Sequence, residues 1–485
     1  MPDTGLYQLV GSGLALARSA VQVFKMLNHI TPMSGWNRGS LKGRVLGASM
    51  WTLAGYGASQ MIRLGSNMLL TRLLVPEMFG VIAMATTVMV GLAMFSDLGL
   101  KQNVVQSNRG DDADFLNTGW ATQIIRGGLL STVALVLALL VFAAKQTGLV
   151  PDGSVYADER LPAVIGVSSV TMAIAGFEST KLLEASRGLS LRRATKIDVA
   201  AQIAGLLVIA GWAFLDRSVW ALVAGSVCSA VVRTILSHTW LPGVSNRWQW
   251  DQAAFREIIQ FGKWMFLSST LGFFANCGDR LLLGGMIDAT QLGLYSIALL
   301  MFGSIEASLS KLMSDVSFPA LSEVVRQRPG ALKEIYYRFH VLFTSLAYFS
   351  AGFLMISGQS LVRLLYDYRY ADAGWMLQIL AAILLTVPFR LAAQAVLSLS
   401  MPRLFFNTIA IRLVALFAAT PIGFYSFGLP GALAGVVLSH FSYLPTIALY
   451  QIRYGIFDIR RELLLLPVIV VGMGAAKLVV LLVIG

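Results

Sequence analysis

Asn67-Met-Leu-Leu-Thr-Arg-Leu-Leu-Val-Pro-Glu-Met-Phe-Gly80-Val-Ile-Ala-Met84 lines up, after one insertion, with Asp279-Arg-Leu-Leu-Leu-Gly-Gly-Met-Ile-Asp-Ala-Thr-Gln-Leu-Gly293-Leu-Tyr-Ser-Ile-Ala298. Each copy reads as the end of one apolar helix, a short turn, and a second helix that starts around a glycine. Six apolar segments separate the copies. An even number gives both halves the same orientation in a bilayer, so an axis along the membrane normal would relate them. In molecules built from such parallel repeats, substrate lies between two lobes that rock around it.

Working outward from this pair, thirteen apolar segments cover 45–70, 78–96, 117–143, 161–181, 197–215, 218–240, 259–286, 291–313, 335–358, 374–399, 404–427, 429–451 and 463–484. A hydrocarbon core ~30 Å thick needs ~20 residues at a helical rise of ~1.5 Å, and these runs meet that length. Of the 37 Lys and Arg residues, twenty-five fall before the first segment or are counted with the gap after an even-numbered one, among them Arg233, Lys263, Lys311 and Arg338 from the flanking parts of the segments themselves. The intervening gaps hold Arg72, Lys145, Arg160, Arg217, Arg363 and Arg369. The positive-inside rule puts the basic gaps and the N-terminus in the cytoplasm and, with thirteen spans, the C-terminus in the periplasm. The predicted fold is an all-α polytopic membrane protein, with two six-helix lobes related by a pseudo-two-fold along the membrane normal plus one C-terminal helix. Its parts are a cytoplasmic N-terminal extension (1–44), a first lobe (45–240), a cytoplasmic linker (241–258), a second lobe (259–451), and a loop with a thirteenth span (452–485).

A chain of 485 residues that is 56% hydrophobic and 13% charged, with a mean hydropathy of +0.71, is no soluble globule, which carries ~25% charged residues. Its net charge of +12 follows from cytoplasmic loops facing anionic lipid. No nucleic-acid partner is expected, because aromatic and basic residues do not interleave on one surface. Cys228 and Cys277 fall inside spans and make no disulfide framework. His29, His238, His340 and His440 are scattered and form no metal motif. There is no GxxxxGK[ST], and Gly55-Tyr56-Gly57 lacks the third glycine of a dinucleotide loop. Neither a catalytic residue nor a cofactor is expected. Within 1–40, Arg18 and Lys25 interrupt any signal-peptide core, while Leu6, Val10, Leu14, Ala17, Val21 and Phe24 recur at helical spacing. This suggests a helix on the cytoplasmic leaflet, unless translation starts at Met26 or Met33.

Five arginines, Arg63, Arg126, Arg280, Arg390 and Arg412, fall within spans. At ~2.5–3.5 kcal/mol each near the bilayer centre, they need a wet cavity, a partner or a route to the interface. Polar stripes favour a cavity: Thr52, Tyr56, Ser59, Arg63, Ser66 and Asn67 in the first segment; Thr118, Thr122 and Arg126 in the third; Ser269, Asn276 and Arg280 in the seventh. Thr386, Arg390, Gln394 and Ser398 make another in the tenth, and Thr408 and Arg412 a shorter one in the eleventh. Arg126 and Arg412 lie near enough the cytoplasmic face to snorkel, and Arg63 and Arg280 near enough the outer one; Arg390 is deepest. The in-span acids are fewer. Asp279 adjoins Arg280, Glu178 is near an inner end, and Glu306 is either a proton or cation site or an arginine's partner. An interior richer in arginine than carboxylate attracts anions, and guanidinium donors fit phosphate oxygens. The candidate cationic cavity is therefore Arg63, Arg126, Arg280, Arg390 and Arg412. Ser59, Asn67, Asn276 and Gln394 would line it, and Glu306 and Asp279 would serve as an ion-coupling or gating pair.

From about Met33 to Glu462, the order of motifs resembles the bacterial polysaccharide (Wzx-type) flippases of the multidrug, oligosaccharidyl-lipid and polysaccharide exporter superfamily. The carrying residues are Leu73-Leu-Val-Pro-Glu-Met-Phe-Gly80, Ser96-Asp-Leu-Gly-Leu100 with Val105-Gln106, Phe261-Gly-Lys263, Gly278-Asp-Arg-Leu-Leu-Leu-Gly284, Leu292-Gly-Leu-Tyr295 and Ser317-Phe-Pro-Ala-Leu-Ser322. The resemblance implies passage of an undecaprenyl-pyrophosphate-linked oligosaccharide to the outer leaflet of the bacterial inner membrane. A polysaccharide polymerase and export complex are the partners it implies beyond lipid and cargo. The sugar head cannot cross ~30 Å of hydrocarbon with its hydroxyls unsatisfied, so two lobes would enclose it while the polyprenyl tail stays in lipid. The thirteenth segment departs from a twelve-helix core. An alternative is a small-molecule or drug exporter of the same fold, which for cationic compounds should show carboxylates in the first lobe. A membrane glycosyltransferase or polymerase would need paired acids or a large loop, and no outer loop exceeds about 18 residues.

Overall fold

The computed structural model describes residues 41–483 apart from 108, 189–190 and 399–401; the helix expected within 1–40 lies outside the described residues. Among the described residues the regular structure is helical, with no strand, and helix occupies each of the thirteen apolar segments. Nine of these helices are long and apolar enough to cross a membrane, ten if the pair Leu161–Gly176 and Lys181–Arg187, bent by 63°, counts as one span. Leu41–Leu73 and Gln252–Gly284 are not among the nine. They carry Arg63 and the Asp279-Arg280 pair, which lower their hydropathy. The eleventh and twelfth segments count once, because helix Pro402–Phe441 runs across a kink at Gly428, where φ is 66°.

Short polar caps set the helix starts. Pro76 occupies the first turn of Pro76–Phe95, where a missing N–H costs nothing. The carboxylates of Asp251 and Asp288 accept from Ala253 N at 3.0 Å and Gln291 N at 2.7 Å, satisfying helix N-termini that would otherwise be orphaned.

The two halves meet at one end of the bundle through glycine. A Cβ on Gly80 would lie 1.8 Å from the Ala289 carbonyl oxygen, and one on Gly293 would lie 1.8 Å from that of Pro76. Backbone contact therefore joins Pro76–Phe95 to Ala289–Leu312. At the same end, Tyr370 Oη donates to Leu74 O at 2.9 Å, Arg369 Nη2 to Thr71 O at 3.1 Å, and Tyr156 Oη to Leu281 O at 3.1 Å.

At the opposite, basic end, the segment expected to be a linker is fastened to the first half. Asn246 binds Ser179 and Thr180, each at 2.6 Å. Asn117 Oδ1 accepts from Arg247 N at 3.0 Å, and Asp251 pairs with Arg109 at 2.8 Å. Helix resumes at Gln252, earlier than the expected 259. Its first turns bury Ala254 and Ile258 against Val104, Phe115 and Leu116 of the first half. Farther along, Phe273 meets Phe95 edge to face at 4.9 Å. One long helix thus leaves the first half and ends in the second.

The last helix, Pro467–Val483, is integral to the bundle. Added Cβ atoms would meet Ile469 O at 2.1 Å from Gly352 and Phe349 O at 2.3 Å from Gly472, so small residues let it lie against Leu332–Leu365. Before it, Glu462 holds His340 Nε2 at 2.8 Å and Tyr337 Oη at 3.1 Å. The outside is apolar, with Leu139, Val414 and Leu482 exposed, as a hydrocarbon solvent requires.

Candidate functional site

Five helical segments of the second half converge on a cavity of about 240 Å³. Asn276, Asp279 and Arg280 reach it from Gln252–Gly284; their spacing of three and four puts them on one face. Tyr295, Phe302 and Glu306 come from Ala289–Leu312, Arg390 from Val387–Ser398, and Arg412 and His440 from the two arms of the helix kinked at Gly428. Arg390 follows a 3-10 stretch, Ala381–Thr386, and Glu306 precedes a π-helical turn, Met313–Ser317. Irregular turns of this kind inside helices mark places where a helix can change its pitch.

The charges are paired unevenly. Arg390 forms an ion pair with Glu306, whose Oε1 also accepts from Ser310 Oγ at 3.1 Å. Asp279 pairs not with the adjacent Arg280 but with Tyr295 Oη at 2.5 Å. Arg412 Nη2 lies 3.0 Å from His440 Nε2. The Nε groups of both Arg280 and Arg412 are buried without a hydrogen-bond partner among the described residues. Three guanidiniums against two carboxylates leave one positive charge in surplus when His440 is neutral. A buried donor without an acceptor is costly, so acceptor oxygens would be favoured beside these two groups.

Of the residues singled out in the sequence, Asn276, Asp279, Arg280, Glu306, Arg390 and Arg412 come together here. The others do not. Arg63 is exposed on its helix, and Asn67 Nδ2 donates to the Arg63 carbonyl at 2.8 Å. Arg126 donates to Ser96 Oγ at 2.9 Å and Ala93 O at 2.7 Å, so it serves the C-terminal end of Pro76–Phe95, where cations are favoured. Gln394 is outside the cavity lining, and its Oε1 is buried without a partner among the described residues. The expectation of one cavity holding all five arginines is thus replaced by a cluster of three within the second half. Arg63 and Arg126 belong to stripes that face other neighbours.

Arg233, counted by sequence with the loops, lies inside helix Val219–Thr239. It is ion-paired with Glu178 and, at 2.9 Å, with Asp198. It lines two first-half cavities, one of about 270 Å³ with Gln123, Arg126 and Glu178, the other of about 450 Å³ with Tyr56, Ser59 and Gln202. The stripe Ser226, Ser229, Arg233 and Ser237 was the available signal. The first half therefore does hold carboxylates, and Arg233 pairs with two of them, Glu178 and Asp198, one guanidinium against two acids. His440 and Tyr295 were also missed; each lies among apolar residues at a spacing that reads as ordinary helix core.

Residues 69–375 match the family model described as polysaccharide biosynthesis protein. A Shigella flexneri protein named for O-antigen transport is 24% identical over 291 residues, which is 57% of this chain and 66%, just under two thirds, of that relative. The fold is shared with the lipid II flippase MurJ in an inward closed conformation, at a TM-score of 0.64 and 10% identity over 91% of this chain and 93% of that one. It is also shared with an inward-facing multidrug transporter of the MATE family in the MOP superfamily, at a TM-score of 0.62 and 13% identity over 82% and 94% of the two chains.

Proposed function

The chain belongs to the polysaccharide biosynthesis protein family, and from that premise we propose that this membrane transporter flips a polyprenyl-pyrophosphate-linked oligosaccharide from the inner to the outer leaflet. The observation that supports this most is the pair of unpartnered guanidinium Nε groups, on Arg280 and Arg412, in a cavity with surplus positive charge. A diphosphate offers acceptor oxygens and two or more negative charges, which guanidinium donors match in geometry and sign. At about 240 Å³ the cavity falls below the ~300–1,000 Å³ typical of sites for larger ligands. It would hold the diphosphate and leave the sugars and the polyprenyl chain outside it.

In this reading the basic end of the bundle is cytoplasmic and the membrane is the bacterial inner membrane. Contact at Gly80 and Gly293 closes the outer face, and the two halves alternate around the cargo. A polymerase and export machinery would receive the product. Reconstitution in liposomes with a fluorescent polyprenyl-diphosphate sugar tests the proposal. Arg280→Ala and Arg412→Ala should each slow translocation at least about tenfold, the scale of one lost charged hydrogen bond, and Arg→Lys should recover part of it. Wild-type rates in both alanine variants would remove the cavity's role.

A further inference from the structure

The second half's cavity has room for the charged end of the cargo but not for its sugars. The 450 Å³ cavity of the first half lies between Leu41–Leu73, Leu191–Leu215 and Val219–Thr239, and its chemistry is different. We propose that it is a subsite for an uncharged sugar ring, an inference that rests on the lipid-linked oligosaccharide reading above.

Three properties point to that ligand class. First, the lining is hydroxyl, amide and charged-pair chemistry: Tyr56, Ser59, Asp198, Gln202, Ser229 and Arg233. A sugar hydroxyl both donates and accepts, and this set supplies both roles. Second, the one guanidinium among the lining residues is engaged. Arg233 is held by two carboxylates, Glu178 and Asp198, so a phosphate finds no free cation there and meets acids instead, whereas a sugar hydroxyl can donate to a carboxylate. Asp198 and Arg233 nonetheless keep side-chain exposures of 47% and 39%, which leaves them reachable. Third, donors are unused. The Tyr56 hydroxyl is buried without a partner among the described residues. Ser59 Oγ donates to Gln202 Oε1 at 2.9 Å, which fixes the Gln202 amide with its nitrogen still able to donate. An aromatic ring with an unsatisfied hydroxyl, beside a fixed amide and a reachable carboxylate, suits a hydroxylated ring.

The test uses the full chain in lipid nanodiscs, since maltoside detergents would compete. The probes are a panel of free glucose, galactose, mannose and N-acetylglucosamine, and inorganic pyrophosphate, followed by saturation-transfer NMR and calorimetry. At least one sugar should bind saturably. Tyr56→Phe, which keeps the ring, and Gln202→Ala should each weaken it about fivefold, the scale of one lost hydrogen bond. Pyrophosphate affinity should stay unchanged in both variants and fall in Arg412→Ala, which should leave sugar binding intact. Pyrophosphate binding without any sugar binding, or sugar binding indifferent to both first-half variants, overturns the subsite alone. Failure of pyrophosphate to bind the wild type overturns the flippase reading on which it rests.

Discussion

Gly80 and Gly293 are each pressed against the backbone four residues before the other, Gly80 on Ala289 and Gly293 on Pro76. The same two glycines are the fifth residues of Pro76–Phe95 and Ala289–Leu312, the second helix in each copy of the repeated sequence. A reciprocal contact between matched positions is what a two-fold axis passing between the helices would produce, and it closes one end of the bundle without any side chain.

Adding a methyl group at this crossing should therefore separate the halves. Gly80→Ala and Gly293→Ala should each destabilise the protein by about 1–3 kcal/mol, as overpacking does, read as lowered thermal midpoints in nanodiscs. Gly57→Ala is the control, because nothing lies within 4 Å of a Cβ there. Equal midpoints for all three variants would show that the crossing is not tight.

A second closure at the same end depends on Arg369, whose Nη2 caps the end of Leu41–Leu73 through Thr71 O and Arg72 O. Asp367 aims it, accepting from Arg369 Nε at 2.8 Å. The side-chain hydrogen bond from Arg369, then that from its backbone N–H, holds the Asp367 carboxyl below its usual value. A depressed acid contributes stability above its ordinary pKa of ~3.9 and loses it only as pH falls through the lowered value. Closure should thus be flat from about pH 5 to 8. With Cys228 and Cys277 replaced, labelling of Leu74→Cys, buried when closed, should be slow across that range. Adding Arg369→Ala should speed it by about tenfold at most.

The helices were legible because they rest on a local signal: runs of apolar residues long enough to span. The second-half cluster was legible for the same reason, since Asn276 and Arg280, or Arg390, stand out in apolar helix. Periodicity says which residues share a face, but not which neighbour that face meets. Arg63 and Arg126 sit on stripes like the others, yet one is exposed and the other meets the end of Pro76–Phe95. Arg233 was hidden by counting it with the loop that follows its helix. The Asp279 to Tyr295 pairing joins two helices, and no spacing along one chain segment encodes it.

The strap from 241 to 251 gives a third prediction. Arg247 is exposed, but its N–H is held by Asn117, and cleavage needs local opening. Trypsin should spare Arg247 in the folded protein, and Asn117→Ala combined with Asn246→Ala should raise cleavage there about tenfold, the scale of two lost hydrogen bonds. Rapid cleavage of the wild type would mean that the segment is a free linker after all.

Arg390 and Glu306 make the sharpest contrast with the other arginines of the cavity. Their side chains are only 22% and 25% exposed, so removing one partner strands a charge in a membrane-embedded site, at a cost of about 3–5 kcal/mol. Arg390→Ala should therefore lower the amount of folded protein as well as transport. Arg390→Met with Glu306→Gln removes both charges and should restore the folded yield. Arg280→Ala strands no carboxylate, since Asp279 is bound to Tyr295, and should leave the yield intact. Fluorescence-detected size exclusion measures yield, and liposome translocation measures function. If the double variant folds and transports normally, the pair only holds helices together. If it folds but does not transport, Arg390 is released from Glu306 to take the cargo's phosphate during the cycle.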